Sequence, residues 1–133
     1  MTSSRDSYVV DTHALVWYLT ADRKLPGRIA RILQAAERGE RQVIVPTIVL
    51  AEGLRIEEKG RAALAKGRIL DWVLRHAALV VVDFDLPTVI AMRELGSEME
   101  LHDRIIAATA RRLGVAVMTR DRDIAACAET IWD

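Results

Sequence analysis

The chain has 133 residues, 51% of them hydrophobic, with 19 basic and 19 acidic side chains. That length suits one core of ordinary size, so a single domain spanning residues 1–133 is expected. A formal net charge of zero advertises no polyanion partner, no apolar run is long enough to cross a bilayer, and the lone Cys127 cannot close an internal disulfide. The last point suggests a reducing cytoplasm. Residues 1–7 are polar, lack the apolar run of a signal peptide, and are expected to be loose. Charge is unevenly spread: residues 21–75 hold twelve Lys/Arg against seven Asp/Glu, whereas 76–133 hold six against ten.

In chain order, Tyr8, Val9 and Val10 form a short apolar run that reads as a buried strand. Thr12 is the expected cap of a helix over 13–19. A charged loop follows, and then a helix opens at Pro26 with Ile29, Ile32, Leu33 and Ala36 on one face, stopped by Gly39. Val43, Ile44 and Val45 are a second strand, ended by Pro46. Thr47 is the expected cap of a helix to about Lys59. After Gly60, residues 62–76 carry Leu64, Ile69, Leu70, Val73 and Leu74 at helical spacing. Residues 79–82 are a third strand. Asp85 and Pro87 open a helix to Leu95, residues 96–100 form a loop, and a helix over 101–113 is closed by Gly114. Residues 115–118 are a fourth strand, and 121–128 a short terminal helix. Apolar strands separated by helices imply a parallel sheet covered on both faces, a three-layer α/β/α sandwich.

In open α/β sheets, sites form beyond the carboxyl ends of strands. Asp11 directly follows the first strand, and Asp121 follows the fourth after Thr119 and Arg120. Asp103 lies in the first turn of the helix that leads into the fourth strand. Glu52 sits one turn inside the helix after the second strand, among Ile48, Val49, Leu50, Ala51 and Leu54, unusual company for a carboxylate. Carboxylates crowded together repel, and a hard divalent cation with oxygen ligands relieves the conflict. Such an ion polarises a phosphoryl oxygen and acidifies a bound water, so the implied reaction is phosphodiester hydrolysis. Each acid also has a structural reading: Asp11 or Asp121 as a helix cap, Asp103 as a partner of the helix dipole, Glu52 as a surface partner of Arg55. Asp83, Asp85, Glu94, Glu98 and Glu100 read as surface or capping residues.

The segments VVDTHAL, VPTIVLAEGLR, LHDRIIAATARRLGV and AVMTRDRDI, in this order, resemble the PIN-domain nucleases, and within them the VapC toxins of toxin–antitoxin operons. The resemblance covers nearly the whole chain. It implies a central parallel sheet of four or five strands in the order 3-2-1-4, with a short fifth strand possible. It implies an acidic site of Asp11, Glu52, Asp103 and Asp121, with Asp11 and Asp103 as principal Mg2+ or Mn2+ ligands. Glu52 and Asp121 would complete that site, and Thr119 would orient a carboxylate. It further implies an RNA substrate, a homodimer and an antitoxin whose tail covers the site. His13, Arg104, Arg120 and Asp123 depart from the commonest pattern, and Asp123 competes with Asp121 for the fourth acidic place.

Other chemistries find less support. His76 and His102 have no partner at zinc-ligand spacing, no glycine-rich phosphate loop is present, and no Ser-His-Asp order points to acyl transfer. A phosphatase or phosphotransferase with Asp11 as nucleophile would require an acidic pair after the first strand, where this chain has Asp-Thr-His. A non-catalytic binding module is the remaining alternative. Arg104, Arg111, Arg112, Arg120 and Arg122 are candidate RNA-backbone contacts. Trp17, Trp72 and Trp132 read as core or interface residues, and residues 55–66 as one wall of an antitoxin groove.

Overall fold

The computed structural model describes residues 7–60 and 63–133. The expectation for the first seven residues therefore lies outside it, except at Ser7, which is buried. The short runs of Val, Ile and Met become β1 (Tyr8–Val10), β2 (Val43–Pro46), β3 (Leu79–Val82) and β4 (Ala116–Met118), joined by β5 (Thr130–Ile131). All pairings are parallel, in the order β3-β2-β1-β4-β5. Every residue of β2 and β4 is buried, as expected of parallel strands covered on both faces, while the edge strand β3 is partly exposed.

The winding positions the site. From β1 the chain steps outward to β2 and β3, then returns across the sheet to β4 on the other flank of β1 and continues to β5. Right-handed crossovers that step in opposite directions place their helices on opposite faces, and the crevice opens between β1 and β4. Val10 pairs with Met118 there, so the residues that follow, Asp11 and Thr119, emerge side by side.

The helices are α1 (Thr12–Leu19), α2 (Gly27–Glu37), α3 (Thr47–Lys59), α4 (Arg68–Arg75), α5 (Leu86–Met92), α6 (Leu101–Leu113) and α7 (Arg122–Ala125). The expected apolar face of α2 is buried as read, at Ile29, Ile32, Leu33 and Ala36. Six successive residues of α6, Ile105 to Ala110, are buried, and the small Ala107, Ala108 and Ala110 let the helix lie close to its neighbours.

Several expected boundaries are corrected. Asp11, not Thr12, caps α1: its backbone stays extended and its Oδ1 accepts from Ala14 N–H at 2.8 Å. Pro46 still pairs with Val82 and caps α3 by backbone geometry alone, so Thr47 is helical, and its hydroxyl accepts from Phe84 N–H at 3.1 Å. The helix expected over 62–76 is only α4, with Arg61 and Ala62 outside the described residues. Its buried face is Ile69, Trp72 and Val73, while Leu70 and Leu74 are exposed. The late start has a cause in Glu57. Its buried carboxylate accepts from Gly67 N–H at 3.0 Å and Ile69 N–H at 2.9 Å, fixing where the helix opens. Likewise α5 stops at Met92 and tightens into i→i+3 turns as far as Leu95, whose N–H shares the Met92 carbonyl with the Arg104 guanidinium, which donates to it at 2.7 Å. The terminal helix shrinks to the four residues of α7.

Candidate active site

A cavity of about 570 Å³ opens at the carboxyl ends of β1 and β4. Asp11, Glu52, Glu100, Asp103 and Asp121 line it, together with Thr119. All four acids expected from the sequence thus reach one space from four separate segments: the end of β1, the second turn of α3, the first turn of α6, and the cap of α7. Glu100 is a fifth carboxylate, expected only as a surface or capping residue. It does cap α6, accepting from Asp103 N–H at 3.1 Å, and it also faces the cavity.

Three of these carboxylates are tied to helix starts. Asp11 caps α1 through Oδ1, and Asp121 Oδ1 accepts from Asp123 N–H at 2.8 Å and Ile124 N–H at 2.9 Å. Glu52 is held differently: the Thr12 hydroxyl donates to its Oε1 at 2.7 Å, and His102 Nδ1 stands 3.4 Å from Oε2 and 2.7 Å from Glu100 Oε1. The surface pairing with Arg55 is thereby replaced by a bond to the residue next to Asp11. The Thr119 hydroxyl accepts from Asp121 N–H at 3.0 Å and also acts on the Asp11 carboxyl. It stands beside Asp11 where the ends of β1 and β4 lie next to each other.

The crowding is visible in the titration of the acids. Asp103 is pushed up to about 6, first by partial burial and then by the negative fields of Asp121, Glu100, Glu52 and Asp11. Asp11 is raised as well, chiefly by burial, with Asp121 adding to the effect while Thr119, the Ala14 amide and His13 oppose it. Asp123 is not a member of this group. It lines a different cavity, with Gly96, Met99 and Cys127, so Asp121 is the acid that faces the others.

The arginines separate in the same way. Arg104 is engaged with Met92 and Leu95 carbonyls, Arg111 with the Cys127 carbonyl, and Arg112 with Asp85 and Thr88. Only Arg120 and Arg122 of the five border the acidic cavity, alongside His13 and Trp132. Trp17 and Trp72 belong to the core, as expected. A second cavity of about 400 Å³ adjoins the first, sharing His13 and Glu52, and is bounded by Arg55, Ile56, Lys59 and His102.

The acidic cavity offers carboxylate oxygens and no thiol, which is the chemistry of a hard divalent cation, and their mutual repulsion is what such a cation relieves. Among the described residues, no three His, Cys, Asp or Glu side chains already close around one point. Magnesium retains several waters and needs only two or three carboxylates, so the donors fit in kind although no cage is preformed.

A doubly wound parallel sheet with carboxylates gathered at its switch point is the class that fold and site define. Within it the chain belongs to the PIN-domain family, whose model matches residues 8–129. The family resemblance of the four motifs is thus borne out. Solved structures with the same fold include VapBC2 of Rickettsia felis bound to a promoter DNA fragment, with a TM-score of 0.71 and 19% identity over 96% of this chain and 99% of that one. DNA-bound VapBC of Salmonella typhimurium is similar, at 0.69 and 21% identity over 94% and 96%. VapC20 of Mycobacterium tuberculosis, a sarcin-ricin loop cleaving toxin, matches at 0.59 and 19% identity over 90% and 93%. No curated protein sequence matches the chain.

Proposed function

We propose that the chain is a divalent-metal-dependent endoribonuclease and the toxin of a VapBC-type toxin–antitoxin pair. The observation that carries this reading is the gathering of four dispersed acids around one cavity, close enough to hold Asp103 at about 6. Asp11 and Asp103 would be the principal ligands of Mg2+ or Mn2+, with Glu52 and Asp121 completing the set directly or through water. When bound, the cation supplies a polarised phosphoryl oxygen and a water acidified enough to attack phosphorus. The protein's own part is placement. Thr119 holds the Asp11 and Asp121 segments in register, Thr12 and His102 fix Glu52, and Arg120 and Arg122 on the rim draw a phosphate backbone toward the acids.

The VapBC structures that share the fold favour an antitoxin partner, and the adjoining cavity beside Arg55, Ile56 and Lys59 is where its segment would lie. The exposed Phe84, Leu86, Val89 and Ile90 support a homodimer. Among the described residues no helix is long and apolar enough to cross a membrane; cytoplasmic placement belongs to the same reading. The test is cleavage of single-stranded RNA with Mg2+ or Mn2+, lost on chelation and in Asp11→Asn and Asp103→Asn. Undiminished cleavage in both variants and in chelator would refute the proposal.

A further inference from the structure

The acidic cavity has one large aromatic lining residue. Trp132, packed against the core on one side and partly exposed, borders it together with Arg120, Arg122 and His13. A metal site of carboxylates needs no tryptophan, and a ring left partly exposed at the rim of a polar cavity is the feature that calls for a ligand. The ring is also held in place. It meets Trp17 edge-on, with centroids 6.0 Å apart and planes at 62°. Trp17 itself is in the core, packed 5.7 Å from His13, and the Arg120 guanidinium lies over its face at 4.5 Å. One buried indole thus fixes both Trp132 and Arg120 on the same rim. A pre-oriented aromatic face next to a cation is how proteins hold an unpaired nucleotide, the base stacking on the ring and the phosphate meeting the cation. The cavity volume of about 570 Å³ lies in the range of small-ligand sites, room for a nucleotide beside the acids.

From this arrangement we infer that Trp132 is the stacking platform for an unpaired base next to the scissile phosphate, with Arg120 as the accompanying phosphate contact. The inference rests on the ribonuclease reading and narrows it. A base must be unstacked to reach Trp132, so the indole acts on the single-stranded substrate that the ribonuclease reading already assigns. Stacking is tolerant of base identity, so Trp132 sets the structural context of the cut more than its sequence.

The test uses the full chain in the Asp103→Asn background, which holds RNA without turnover. The probes are a short oligoadenylate and inorganic polyphosphate, which has the charge without the bases. Oligoadenylate is expected to quench tryptophan fluorescence, polyphosphate is not, and the quenched component disappears in Trp132→Phe. Oligoadenylate affinity should fall roughly 5- to 100-fold in Trp132→Leu, the equivalent of one stacked base, and return toward the parent in Trp132→Phe. Thermal melting of both variants separates stacking from lost core packing, since a merely structural role would lower both melting and affinity without base dependence. Equal affinity in Trp132→Leu and the parent, or equal quenching by both probes, overturns the inference even when the wild-type chain cleaves RNA. A protein that neither cleaves RNA nor binds oligoadenylate overturns the ribonuclease reading and the inference together.

Discussion

Replacing Asp103 by Asn is expected to stabilise the metal-free protein at neutral pH. The carboxyl titrates at about 6 in the folded chain against 3.8 for an unperturbed aspartate. Its folded pKa is raised, so the folded state binds more protons than the unfolded state between those values, and stability falls as pH climbs through that window. The cost is fully present above about pH 6 and relieved below the unfolded value. A shift of that size corresponds to about 3 kcal/mol at 1.36 kcal/mol per pH unit. Asp103 is only partly buried, and solvent screening reduces this to about 1 kcal/mol. The same carboxylate sits in the first turn of α6, where the helix dipole favours it by about 0.5 kcal/mol, and that part is lost on neutralisation. The expected net gain for Asp103→Asn in chelator at pH 8 is therefore about 0.5 kcal/mol, or about 2 °C in melting temperature for a domain of this size. The gain should shrink as pH is lowered toward 4. Adding Mg2+ should reverse the order, because the wild type alone gains the full binding stabilisation. Thermal melts at pH 8 and pH 4.5, with chelator and with Mg2+, read all three effects. A variant less stable than wild type in chelator at pH 8, or a difference that ignores pH, would refute the argument that these acids crowd one another.

Asp11→Asn should keep the fold, since Asn caps a helix as well as Asp, while RNA cleavage falls at least about 100-fold; Asp11→Ala should in addition lose about 1 kcal/mol with the α1 cap, measured by urea denaturation. Glu57→Ala should cost about 1–3 kcal/mol by leaving the buried Ile69 amide, and the exposed Gly67 amide beside it, without their acceptor, with activity per folded molecule unchanged. Gly53→Ala would place a Cβ 2.4 Å from Ile69 Cδ1 in the core, and is expected to destabilise by about 1–2 kcal/mol despite the better helix propensity of Ala. Ile69→Val removes that methyl, so the double variant should be more stable than the sum of the single changes requires; strict additivity in denaturation would show that the clash does not govern this site.

The parallel sheet was legible in the sequence because its strands are apolar throughout, and a run such as Val43-Ile44-Val45 needs no partner to be recognised. The four acids were legible because Asp11 and Asp121 follow strand ends, Asp103 opens the helix that leads into the fourth strand, and Glu52 lies among aliphatic residues. Boundaries set by tertiary contacts were not. The start of α4 is bonded by Glu57, ten residues before Gly67, and the end of α5 by Arg104, twelve residues after Met92. Neither partner carries a local signal. Glu100 reads in the sequence as a surface or capping residue and does cap α6, but its exposure to the cavity follows from where α6 starts relative to β1, a fact no spacing encodes. The sorting of five arginines into three structural and two rim residues is of the same kind.

How a small chain tolerates five carboxylates in one cavity has a local answer. Asp11, Glu100 and Asp121 each accept backbone N–H groups at the start of a helix, so part of their charge is already met by amide donors and helix dipoles. In Asp11 and Asp121 these bonds go to Oδ1. The same side chain thereby serves the fold with one oxygen and keeps the other for the site. Asp103 has no such service to perform, and it is the acid on which the repulsion accumulates. That division explains why fold and acidity coexist without metal. It also explains why Asp103 differs from the capping aspartates: truncating a cap to alanine weakens both fold and activity, whereas neutralising Asp103 trades activity for stability.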